Sequence, residues 1–430
     1  MIQASKLINR LEQRELDTVL GALYGNGEET LNTQYMRYRK AVSEYINLFG
    51  DDEVEIYSAP GRTEVCGNHT DHQHGIILAA SINLDAIAVV GKTSDGSIDF
   101  VSEGYDPIHL EKSKYTASDI DENAFGTTAS LIKGVHCGLS ERGFSTGGYK
   151  AFVTSDVLSG SGMSSSAALE AIIGTIQSGL YNDCKVPSVE IAIIGQYAEN
   201  VFFGKPCGLM DQLACSVGDF VYVDFADPSA PDVQKINCDL DAAGYSLCIV
   251  DTKGSHANLT EDYAAIPSEM KEVASYFGKE YLNEITLQQF MDGMSGLYGK
   301  VSDRAVLRAY HFLTENARVP MAANALKENR FPDFLDIVRA SGNSSYRFLQ
   351  NVYSNRFEKQ QPVPITLMLT EDYLGENGVC RVHGGGFAGT IQAFVKKESV
   401  AGYKTFIENI LGEGTCHVLK IRKQGGIKVL

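Results

Sequence analysis

The stretch Leu158-Ser159-Gly160-Ser161-Gly162-Met163-Ser164-Ser165-Ser166-Ala167-Ala168-Leu169-Glu170 decides the fold class. Before it, residues 149–154 form a strand candidate. After it, Leu169, Ile172, Ile173, Ile176 and Leu180 recur at helical spacing. A strand, a glycine-rich turn and a helix thus follow one another. Glycines let the backbone turn with its N–H groups exposed, and a helix N-terminus adds positive potential. Three hydroxyls in the first helical turn can bind phosphate oxygens or a metal, so the segment suits an anion cradle. A tight turn with serine caps satisfies the same residues. No Gly-Lys-Ser/Thr follows, so this is not a Walker A loop, and the spacing is not GxGxxG.

Outward from this segment, helical and strand signals mix along the chain, as in an α+β or α/β enzyme. Residues 54–58 alternate as a strand that Pro60-Gly61 is expected to break. The apolar stretch 76–90 reads as one or two buried strands, and Ser81, Asn83 and Asp85 interrupt it too often for a membrane helix. Further strands are expected at 220–225, 246–250, 365–369, 391–395 and 417–421. Helices are expected in 1–25, after Ser188, and around 301–314 and 331–339. At 430 residues the chain suits two domains. Asp227-Pro228-Ser229-Ala230-Pro231 is the best boundary signal and gives units 1–226 and 227–430.

Composition narrows the function classes. The chain carries 37 Lys+Arg against 54 Asp+Glu, a formal charge of −17, which disfavours nucleic acid and anionic membranes as partners. A few backbone amides can still hold a small anionic ligand locally. The first 25 residues are too charged for the apolar core of a signal peptide. Nine cysteines without a CxxC pair suit a reduced, cytoplasmic chain and make a zinc site improbable.

Two other segments concentrate chemistry. Pro60-Gly61-Arg62-Thr63-Glu64-Val65-Cys66-Gly67-Asn68-His69-Thr70-Asp71-His72 gathers polar side chains in a loop after a strand, as sugar hydroxyls require. Arg381-Val382-His383-Gly384-Gly385-Gly386-Phe387 marks either close backbone approach or a hairpin corner.

Together with the glycine–serine loop, these segments resemble the galactokinase branch of the GHMP kinases. The segment 61–71 resembles its sugar signature, 160–166 its ATP loop and 378–389 its third motif. Residues 198–212, ending in Met210-Asp211-Gln212, and 251–263, ending in Tyr263, are similar to two more of its segments. The resemblance implies a two-domain α+β fold with the active site in the cleft between domains. It implies ATP-dependent phosphorylation of a hexose at the C1 hydroxyl, with galactose the first expectation. Asp211 is implied as base and Arg62 as transition-state stabiliser. Asn68, His69, Thr70, Asp71, Gly208 and Tyr263 are implied to bind sugar. Gly160, Ser161, Gly162, Met163, Ser164, Ser165 and Ser166 are implied to bind ATP, and Ser166 and Glu199 to bind Mg²⁺. A monomer is expected. Taken singly, Asp211 could instead cap a helix, Glu199 could be a solvated helix residue and Arg62 could be structural.

The chain departs from the family pattern on the sugar side. Asn68 stands where the family has glutamate, His72 where it has tyrosine, and Asp251-Thr252-Lys253 where it has Asn-Ser-Asn. Ala264, Ala265 and Ile266 replace an arginine pair, Leu158 replaces a proline, and there is no tryptophan. Asn68 carries no charge, so it would tolerate a carboxylated sugar such as galacturonate or an amide-bearing one; these, or another galactose-like sugar, are the alternative substrates, while with galactose Asn68 would still hydrogen-bond a ring hydroxyl. A non-catalytic sugar sensor is another reading.

Overall fold

The structure is a computed structural model that describes residues 1–158, 162–255 and 258–430. Two long antiparallel strands, Glu53–Cys66 and Ile76–Lys92, form the spine of the first sheet. Among the described residues that sheet has nine strands, and Tyr149–Ser155 and Phe220–Asp224 both pair with Ile76–Lys92. Side chains alternate between its faces. Tyr57, Ala59, Ala86, Ala88 and Val90 pack on one side, in the same core as helix Ser165–Tyr181. Ile56, Ile87 and Val89 pack on the other, with helix Glu28–Phe49. Both faces are buried, which is why 76–90 reads as a nearly continuous apolar run. The interrupting Asp85 is also fully buried, and it pairs with Arg37 at 2.6 Å and Arg422 at 2.8 Å.

The second sheet has four antiparallel strands among the described residues, in the order Gly378–Val382, Gly389–Lys396, Tyr245–Gly254, Cys416–Leu419. Helices Asp303–Lys327 and Phe331–Ser344 contribute Val319 and Phe334 to the core that also holds Leu247, Ile249 and Phe394 of this sheet. Asp232–Ile236 pairs with Phe220–Asp224 across the proline-rich turn, and Ile427–Lys428 pairs with Glu53–Cys66. The first sheet therefore draws strands from both sides of residue 226. No helix among the described residues is long and apolar enough to cross a membrane.

Three sequence expectations are corrected. Pro60-Gly61 does not end its strand; Glu53–Cys66 runs through it, with shifts of register between Pro60 and Arg62 and between Glu64 and Cys66. On that edge Ile427–Lys428 pairs only with Tyr57 and Ser58, so the proline removes no ladder donor there. Residues 365–369 are helical, inside Pro362–Leu374. Val363, Thr366, Leu367, Thr370 and Leu374 are its buried side chains, at helical spacing, and a proline opens the helix. The N-terminal helix divides into Ala4–Glu12 and Asp17–Tyr24.

Candidate active site

The continued strand delivers the site. Beyond Pro60, the Arg62 backbone N–H leaves the ladder and donates to the Met163 carbonyl at 3.1 Å. The guanidinium donates to the Gly162 carbonyl and forks onto Asp211, Nε to Oδ1 at 2.7 Å and Nη2 to Oδ2 at 2.9 Å. Asp211 lies in the first turn of helix Met210–Val217. Ser164, which opens helix Ser165–Tyr181 in a left-handed conformation (φ 57°), donates its hydroxyl to the same carboxylate. Strand, glycine–serine loop and Met-Asp-Gln helix thus converge on one ion pair. Burial pushes the Asp211 carboxyl upward, but the Arg62 charge and hydrogen bonds, with Ser164, bring it below the usual carboxylate range. Asp211 is therefore ionised at neutral pH.

This pair forms one wall of a cavity of about 170 Å³, which Glu64, His69, Asp71 and Gly208 also line. Gly384 and Gly385 close it from the second sheet's side. A Cβ on Gly208 would stand 2.5 Å from Asp71 Oδ2, so glycine is what allows that backbone to pass the carboxylate. His69 Nε2 lies 3.0 Å from the Gly385 carbonyl, to which it donates. Burial, and then the neighbouring His72, hold the His69 imidazole near 4, so it is neutral and its Nδ1 is an acceptor.

Three expected sugar-binding residues lie outside the cavity wall. Asn68 is fully buried. Thr70 Oγ1 lies 2.8 and 2.7 Å from the carbonyls of Gly67 and Ile76, which share its one hydrogen, and holds the loop closed. Tyr263 donates its hydroxyl to the Gly386 carbonyl at 2.9 Å and sets its ring edge-on to Phe387, which shapes the glycine loop.

At the loop expected to hold phosphate, Gly160 and Ser161 lie outside the described residues. Met163 is buried in the core, and its carbonyl braces Arg62. Ser165 and Ser166 begin the helix, and Ser166 and Glu170 are one turn apart on it. Gln212 Nε2 donates both to Glu170 Oε2 at 3.0 Å and to Glu199 Oε2 at 2.9 Å. Burial, and then Glu199, raise the Glu170 carboxyl well above the carboxylate range. Glu199 Oε1 faces the Lys205 ammonium at 3.1 Å, while Glu170 Oε1 is buried with no hydrogen-bond partner among the described residues. Glu170 and Glu199 bring carboxylate oxygens of the kind Mg²⁺ takes, beside Cys207 Sγ at 3.6 Å from Gln212 Nε2; two such ligands fit Mg²⁺, which fills most of its shell with waters and phosphates.

Sequence reading missed Glu64, Glu170 and Gln212. Glu64 was within reach. It lies two residues after Arg62, on the same face of a strand, once the strand is allowed to pass the proline. Glu170 and Gln212 lie within the sequence motifs, but their meeting across two helices has no local signal.

Residues 43–92 match the galactokinase galactose-binding signature, and residues 130–219 match the GHMP kinases N terminal domain. A galactokinase of Actinobacillus pleuropneumoniae is 30% identical over 391 residues, covering 90% of this chain and 94% of the relative. In fold, the chain is similar to Lactococcus lactis galactokinase complexed with galactose, with a TM-score of 0.73 and 23% identity over 90% of this chain and 98% of the other. It is also similar to Methanococcus jannaschii mevalonate kinase, with a TM-score of 0.59 and 15% identity over 86% and 98% of the two chains. With its paired Arg62 and Asp211 beside a glycine–serine loop, the chain belongs to the galactokinase family of the GHMP kinases.

Proposed function

We propose that the protein transfers the γ-phosphoryl group of ATP to the C1 hydroxyl of a hexose, with galactose as the substrate. The observation that carries this reading is the forked Arg62–Asp211 pair on the cavity wall, tied by Arg62 and Ser164 to the glycine–serine loop. Asp211 orients the attacking hydroxyl and takes its proton. Arg62 keeps that carboxylate ionised and offsets charge on the transferred group. Transfer of this kind needs chiefly positioning and charge neutralisation. On the described side of the loop, the backbone of Gly162 and the start of the helix at Ser164, Ser165 and Ser166 would face the phosphates. Ser166 and Glu199 would hold Mg²⁺, which when bound neutralises phosphate charge.

Arg62, Glu64 and Asp211 come from residues 1–226, and Gly384 and Gly385 from residues 227–430, so the cavity lies where the two proposed units meet. The proposed working unit is a monomer. The nine free cysteines suit a reducing, cytoplasmic setting. A carboxylated sugar finds less support than galactose, because Glu64 and Asp71 both line the cavity and would repel it.

The test is ATP consumption over a panel of hexoses with Mg²⁺ present, followed by location of the phosphate on the product by NMR. Galactose is expected to be turned over fastest and phosphorylated at C1. ATP consumption that no hexose stimulates, or phosphate at another carbon, would overturn the reading.

A further inference from the structure

The amide of Asn68 has no capacity left for a ligand. Nδ2 donates one hydrogen to Glu64 Oε1 and the other to the Gly384 carbonyl, both at 2.7 Å. Oδ1 accepts from Asn351 Nδ2 at 2.7 Å and from Ser345 Oγ at 3.2 Å. Both hydrogens and both lone pairs are used. The opposite orientation of the amide would set its oxygen against two acceptors. Asn68 therefore fastens the glycine loop to its surroundings.

Glu64 is placed differently. Only its Oε1 is engaged by Asn68; among the described residues Oε2 has no hydrogen-bond partner, and the side chain lines the cavity beside Arg62. Arg381 Nη2 stands 3.7 Å from Oε1, while its Nη1 is fixed on the Val65 carbonyl at 2.7 Å.

We propose that Glu64, in place of Asn68, selects the sugar, its Oε2 accepting a hydrogen bond from one ring hydroxyl of the hexose. The proposal rests on the kinase reading above. The acceptor that the resemblance places at position 68 is delivered from position 64, on the strand that also carries Arg62. Burial brings the Glu64 carboxyl up to about 7, against Arg381, Arg62 and the Asn68 hydrogen bond and with Asp71 adding to the rise. A hydrogen bond to its ionised form in this dry wall is stronger than one to a neutral acceptor.

Glu64→Gln tests this with little change of shape. Its amide oxygen would keep the Asn68 contact and turn an NH₂ group to the cavity, replacing an acceptor by donors. The measurement is kcat/KM for the hexose that the wild type turns over fastest and for its analogues deoxygenated at single carbons. In the wild type, one deoxygenation is expected to cost at least ~10-fold, the worth of a hydrogen bond to a charged group. In Glu64→Gln that penalty should fall below about 3-fold while the other penalties persist. Asn68→Ala should lower Tm and leave the dependence on that hydroxyl in place. Should Glu64→Gln not fold, Glu64→Asp, one methylene shorter, should show a reduced penalty at the same hydroxyl. Unchanged penalties in the Glu64 variants, or a penalty erased by Asn68→Ala alone, would overturn the assignment. A wild type that phosphorylates no hexose would overturn the kinase reading and this proposal with it.

Discussion

Asp211 and Glu64 line one cavity and are neutralised by different means. Asp211 is the more open, 31% exposed at the side chain, and holds an arginine in two hydrogen bonds at 2.7 and 2.9 Å. Glu64 is 6% exposed and meets Arg381 only at 3.7 Å, with a neutral amide as its closest partner. The first carboxyl lies below its ordinary range, and the second lies near 7. Burial raises both; contact with the counter-ion brings only Asp211 back below its ordinary range. A carboxylate held below its ordinary range is a weak base, so the role proposed for Asp211 suits a loose phosphoryl transfer in which positioning counts for more than early proton removal.

The largest expected effect breaks the contrast at Asp211. Asp211→Asn should lower kcat by ~10² to ~10⁴-fold, since an amide cannot take the proton, while the circular dichroism spectrum stays that of the wild type. Near wild-type kcat in that variant would remove Asp211 from its role.

Removing the counter-ion comes next. Arg62→Ala leaves Asp211 without its partner, and the cost in urea unfolding should be about 3 kcal/mol, at the low end for a broken buried pair because Asp211 opens on the cavity. A loss under ~1 kcal/mol would mean that solvent already neutralises this carboxylate.

Glu64 gives an effect that depends on pH. Its folded pKa is raised from 4.5 to about 7, so the native state binds more protons than the unfolded chain between those values. Its contribution to stability is fully present below pH 4.5 and is lost as pH rises to about 7. The stability difference between wild type and Glu64→Gln should therefore shift against the wild type over that window, by at most ~1.4 kcal/mol per pH unit. A difference that does not vary with pH there would show a carboxyl of ordinary acidity.

The smallest effect concerns packing. Gly208→Ala brings a methyl group against Asp71 Oδ2 and should raise the KM for sugar about fivefold, equivalent to ~1 kcal/mol, with little change in kcat. An unchanged KM would mean that Asp71 moves aside without loss.

Much of this site was legible before the fold was known. The glycine–serine loop between a strand and a helix announced itself through local chemistry, and Arg62 and Asp211 lay in segments that resemble family motifs. At Asn68, position in the sequence motif does not translate into position on the cavity wall, for its side chain is fully buried. Glu64 lies on the strand beside Arg62 and lines that wall, whereas Asn68 lies past the strand's end and is buried. Residues 365–369 misled for another reason: a short apolar run fits a strand or a buried helix equally, and only packing separates them.

The sequence by itself determined which elements could form and which chemistry the chain carries. The apolar run over 76–90, helical spacing after Ser166 and the glycines at the turns are local properties, governed by backbone sterics and side-chain periodicity. Tertiary structure alone decided which carboxylates meet which cations. The Arg62–Asp211 contact spans 149 residues of chain, and the Asn68–Asn351 contact spans 283. Ionisation follows from such contacts and from burial, because the energy of a charge depends on what surrounds it in space, whatever its distance along the chain.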